Sequence, residues 1–184
     1  MTKDLLADKK RDNIAAYVIS MWHIEDLVRA SGFNMDVLAE RLIDPMNVDA
    51  EEAAEVRGWY AGIMTRMREQ GLERSGHLSE VEEVLNELEF LHRSLVDVLN
   101  DEDYDRFYEA ARPGITTLQQ QAGEEAKGIV ETCFTAVYGV MLLRAQGSAV
   151  SEATAQAEGA IRLVLERLSQ HYRQMRKLPG VSMN

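Results

Sequence analysis

Apolar residues recur along this chain at intervals of three and four rather than in strict alternation. That is the period of a helix with one buried face, so the sequence reads as all-α, with no sheet. Seven mostly antiparallel helices are expected, packed as a bundle in one domain over residues 1–184. The first runs from about Lys3 to Ala30 and stops at Ser31-Gly32. The second spans Met35 to Ile43, with Asn34 as cap and Asp44-Pro45 as stop. The third runs from Asp49 to Gln70. Ser79-Glu80-Val81-Glu82 has the form of a capping box and opens a fourth helix reaching Leu99. A fifth begins at Asn100, and Pro113-Gly114 should kink or split it, because proline cannot donate to the carbonyl four residues back. The sixth spans Glu124 to Ala145. Ser151 caps a seventh from Glu152 to about Lys177, and Leu178-Pro179-Gly180 releases a flexible tail over 178–184.

Placed at 100° per residue, these segments show where polar groups intrude on apolar faces. In the first helix Ile14, Tyr17, Val18, Met21, Ile24 and Val28 form an arc about 120° wide, and Glu25 projects within it. In the fourth, His92 falls near the middle of an arc made by Val81, Val84, Leu85, Leu88, Leu91, Leu95 and Leu99. The sixth carries the broadest arc, from Ile129 to Leu143, which makes it the expected centre of the bundle, and Arg144 projects within it. An unpaired buried charge costs several kcal/mol. Glu25, His92 and Arg144 are therefore expected to meet in one buried polar cluster, either fixing helix register or flooring a small-molecule pocket. Phe90 has the opposite character, a large apolar residue on the polar face of the fourth helix, and marks a candidate interface.

Composition narrows the classes of function. Apolar residues make up 46% of the 184, which excludes a disordered tail protein, and no stretch has the length and hydropathy of a membrane span. The first residues mix acid and base and do not read as an export signal. Together with a single cysteine, Cys133, this gives the expectation of a soluble cytoplasmic protein. A net charge of −11 opposes binding to nucleic acid or to an anionic membrane. The charge is uneven: residues 80–109 hold 11 acids and 2 bases, whereas 159–184 hold five bases and one acid. Solvated helix faces account for this, or an acidic surface that meets a basic helix end in a neighbouring subunit.

Searches for catalytic patterns find no phosphate cradle, zinc helix or nucleophile elbow. Asp101, Asp103 and Asp105 imitate the start of a calcium loop, but Arg106 replaces its turn glycine and Arg112 its bidentate glutamate. Glu89-Phe90-Leu91-His92 is the Glu-x-x-His unit of di-metal bundles, which need two such units, and one copy is present. Cys133 lies inside the apolar arc of the sixth helix, where a small buried hydrophobe is expected.

Four stretches carry a likeness: Asn13-Ile14-Ala15-x-Tyr17, Met21-Trp22-x-Ile24-Glu25-Asp26-Leu27-x-Arg29-Ala30, Gly76-His77-Leu78, and Glu131-Thr132-Cys133-Phe134-x-Ala136-x-Tyr138-Gly139-Val140-x-Leu142-Leu143-Arg144. In these the chain resembles an uncharacterised bacterial family, domain of unknown function 4924. The resemblance implies an all-helical bacterial protein and supplies neither an activity nor site residues. The leading expectation is thus a non-enzymatic helical domain acting through protein contacts as a homodimer, with no metal or other cofactor. The alternative is a small-ligand-binding bundle using Glu25, His92 and Arg144, and a third is an enzyme whose residues are not recognisable from spacing.

Overall fold

A computed structural model describes residues 3–177, so the tail expected over 178–184 lies outside the described residues. The fold is all-α, with eight α-helices among those residues: α1 Lys3–Asp12, α2 Ile14–Ala30, α3 Met35–Leu42, α4 Ala50–Glu69, α5 Ser79–Ser94, α6 Glu102–Ala122, α7 Ile129–Ala145 and α8 Glu152–Met175. The eighth arises because the first predicted segment breaks at Asn13. Asp12 and Asn13 have short polar side chains that compete with helical backbone bonds. The break also frees the Ala15 amide to donate to Ser169 Oγ at 3.3 Å. The helices gather into two compact units, the first from residues 3–11 and Ala16–Glu83, the second from Asp12–Ala15 and residues 84–177.

In the first unit α3 has the cap the sequence predicts, and α4 is capped by Asp49. Asn34 accepts from the Asp36 and Val37 amides, and Asp49 accepts from those of Glu51 and Glu52. Between them Asp44–Met46 forms a single 3-10 turn with Pro45 near its start, where the absent amide costs nothing. Val18, Met21, Ile24 and Val28 of α2 are fully buried, with Leu38 of α3 and Ile63 and Met67 of α4. Each contributes about 1.5–3 kcal/mol by leaving water. The capping box is not built as the sequence suggests, because α5 already includes Ser79, and the Leu78 carbonyl accepts from the Glu82 amide at 3.1 Å. The amides of Leu78 and Ser79 go to Glu25 and Gln70 instead, so tertiary partners replace the local cap.

The second unit holds the rest of α5 with α6, α7 and α8. After α5 one π turn, Leu95–Leu99, precedes Asn100 in the left-handed region at φ 45°. Asp101 then caps α6 through the Tyr104 amide. Pro113 does not split α6. The carbonyl it leaves without a helical donor belongs to Glu109, an exposed residue, so solvent access makes the lost bond inexpensive. Gly114 follows, and a Cβ there would sit 3.3 Å from Ala157 Cβ, so α6 and α8 approach closely at this point. In α7 Val130, Cys133, Phe134, Val137, Tyr138 and Val140 are buried, and α8 lays down Ile161, Val164, Leu165, Leu168 and Tyr172 at helical spacing. Among the described residues no single helix is long and apolar enough to cross a membrane.

Candidate functional site

Glu25, His92 and Arg144 do not share partners. Glu25 is fully buried on α2 in the first unit, and its carboxylate faces the loop before α5, where it meets His77 Nδ1 at 2.6 Å and accepts from the Leu78 amide at 2.9 Å. The indole of Trp22, one turn earlier on α2, stacks on the His77 ring at 4.4 Å. An aromatic plane and a carboxylate thus hold the imidazole from two sides. Arg29, a further turn along α2, donates to the Leu72 and Gly76 carbonyls, pinning the same loop. This is the hydrogen-bonded acid that the arc of α2 predicts, with a partner that sequence reasoning missed. His77 lies in a loop, where no periodicity exposes its role.

His92 belongs to the second unit, where its Nδ1 lies 2.7 Å from Tyr104 Oη and its ring meets that of Tyr108 edge-on. Burial lowers the His92 pKa from its ordinary value, opposed by Glu89 and Asp97 and assisted by Arg93. Burial likewise pushes Tyr104 upward, and Cys133 up to about 12, so the thiol stays protonated and inert as a nucleophile. Glu89 is occupied elsewhere. Its carboxylate accepts from the Val130 amide at 2.9 Å and so serves α7 as a cap from another helix. A Cβ at Gly128 would lie 2.9 Å from Glu89 Oε2, so a larger residue there requires that carboxylate to shift. The start of α7 at Ile129, later than the predicted Glu124, follows from this tertiary cap. The Glu-x-x-His unit is therefore spent on structure, and among the described residues no three His, Cys, Asp or Glu side chains converge as metal ligands.

Arg144 leads to the third cluster. It reaches Glu158 of α8, with Nη2 at 3.1 Å, and Arg162 donates to the same carboxylate through Nε. Glu158 is buried, whereas the guanidinium side chains of Arg144 and Arg162 are 48% and 51% exposed. The signal for Glu158 was present, since it stands three and seven residues before Ile161 and Leu165 on the apolar face of α8. Glu158 also lines a groove of about 430 Å³ between α6, α7 and α8. Here a cavity and a buried charge coincide.

Charge at the other end of α8 is matched within the second unit. Asp101 accepts from Arg167 Nη2 and meets His171 Nε2, each at 2.6 Å. Burial alone would raise the Asp101 pKa, but bonds from Arg167, the Tyr104 amide and His171 outweigh it and hold the carboxyl well below the usual carboxylate range. Tyr172 donates to Glu87 and accepts from Arg176 at 2.9 Å. Part of the complementarity between the acidic and basic segments, which the sequence allowed between subunits, is thus met inside one chain. Phe90 stands 72% exposed, as its place on the polar face of α5 predicts.

Neither a curated protein nor a solved structure matches the chain. The family model described as a domain of unknown function, DUF4924, matches residues 4–178, and the chain belongs to that family.

Proposed function

We propose that this chain is a non-catalytic helical protein of the bacterial cytoplasm that acts through protein contacts, first of all with a second copy of itself. The observation that carries the reading is the exposure of large apolar side chains in α5 and the π turn that follows it: Phe90 at 72%, Val98 at 70% and Leu99 at 56%. Single exposed leucines are common on any surface, but three large apolar groups within ten residues attract another surface of the same kind. Arg93, 70% exposed three residues on, adds a charge beside Phe90 that can serve as part of a polar rim. Light scattering at micromolar concentration should give twice the chain mass of 20.8 kDa. Phe90→Asp should return the monomer without loss of helix content. A strict monomer before substitution removes the reading.

A second reading, a small-ligand-binding bundle, is supported by the groove that Glu158 lines. Its volume falls within the range of about 300–1,000 Å³ common for ligand sites.

A further inference from the structure

We propose that the groove between α6, α7 and α8 binds an amphipathic carboxylate, its apolar body along the groove and its head past the lining residue Glu158, at the two guanidinium groups that bond it, those of Arg144 and Arg162. This rests on the ligand-binding reading and is independent of dimerisation. The walls come from Pro113 and Leu118 of α6, Ala136 and Val140 of α7, and Ala157 and Ile161 of α8. The hydroxyls that line it are already engaged: Thr117 donates to the Pro113 carbonyl at 2.9 Å, and Thr154 pairs with the Ser151 hydroxyl at 2.8 Å. These hydroxyls have spent a bond locally, and apart from Gln121 and Glu158 the rest of the lining is apolar. An apolar ligand body suits such a surface.

The charge at Glu158 selects the head. Two guanidinium groups bear on one buried carboxylate, leaving a local excess of one positive charge. Each guanidinium has five N–H donors, and the bonds to Glu158 use two from Arg144 and one from Arg162. The remaining donors belong to half-exposed side chains and can take a carboxylate through charge-assisted bonds. A cationic ligand has no such place, because Glu158 is already neutralised. Small residues keep the groove open, and Ala153, exposed in the first turn of α8, lines it where a larger side chain would intrude without disturbing the core.

Isothermal titration calorimetry with decanoate and with decanol, on the full chain, tests the proposal. Decanoate is expected to bind saturably at one site per chain, at least tenfold tighter than decanol. Ala153→Leu should weaken both probes. Arg144→Gln should weaken decanoate about tenfold and leave decanol unchanged, while Arg144→Lys, which keeps the charge, should retain the preference even if the glutamine variant folds poorly. Equal binding of the two probes, or a decanoate preference that survives Arg144→Gln in a folded protein, overturns the carboxylate proposal and leaves the groove as an apolar site. Failure of both probes to bind overturns the carboxylate proposal and the ligand-binding reading together.

Discussion

Glu25 Oε2 lies 2.6 Å from His77 Nδ1, while the other oxygen of the same buried carboxylate takes the Leu78 amide. A glutamate in the core of α2 thereby fixes the loop that leads into α5. Removing it leaves a backbone donor and an imidazole without their acceptor, so Glu25→Ala should destabilise by about 3 kcal/mol in urea unfolding. His77→Ala should cost less, since His77 is partly exposed. Combining the two should cost less than their sum, because the second change removes a partner already stranded by the first. Strict additivity would show that the pair does not act as one.

Glu89 and Gly128 form a second cycle. A methyl group at Gly128 has to displace the Glu89 carboxylate, which then no longer caps α7. Gly128→Ala and Glu89→Ala should each lower stability by about 1 kcal/mol, the usual size of a lost cap. With Glu89 already truncated, Gly128→Ala should become neutral or slightly stabilising, since the obstacle is gone and alanine restricts the unfolded chain more than glycine does. Thermal unfolding of the four proteins measures this directly.

The buried imidazole of His92 makes stability depend on pH. Its folded pKa is lowered, chiefly by desolvation, so below its unfolded value of about 6.5 the unfolded chain binds a proton that the folded chain resists. The stabilising contribution is complete above that value and is lost as pH falls from there toward the folded pKa. His92→Gln should be less stable than the parent at pH 8, because Tyr104 loses its partner geometry, yet its stability should fall less steeply between pH 6.5 and 5. Equal slopes in that interval would assign the acid sensitivity to other groups.

The helices were legible because burial on one face imposes a period on the sequence, and Asn34 and Ser151 announced their caps by residue type. Intruding charges were legible for the same reason: Glu25 and His92 are indeed buried inside apolar arcs. Their partners were not, since helical periodicity fixes which way a side chain points and says nothing about which helix or loop it faces. Arg144 stood near enough to the end of α7 to leave half its side chain in water, while the buried member of its pair was Glu158 on α8. The break at Asn13 had a local signal in the short polar side chains of Asp12 and Asn13, whereas the start of α7 at Ile129 depends on Glu89, which is remote in sequence, so no local signal marks it.

Asp101 ties the start of α6 to the last turns of α8, and its pH response should be opposite in origin to that of His92. The carboxyl is held below the usual range because the bonds from Arg167, the Tyr104 amide and His171 favour the anion by more than burial disfavours it. In the unfolded chain the same group titrates near its ordinary value of about 3.9. A lowered folded pKa contributes stability that is fully present above the unfolded value and disappears as pH falls through the folded one. Arg167 keeps its charge throughout this window, and the other carboxylates titrate alike in parent and variant. Asp101→Asn should therefore be less stable than the parent by about 1–2 kcal/mol at neutral pH, the lower part of the range for charged bonds because Arg167 is partly exposed. The gap between the two unfolding curves should be open at about pH 4 and narrow steadily below it. A gap that is constant to pH 2.5 would mean that the aspartate acts through shape alone, and its ion pair with α8 would lose its place in the account of stability.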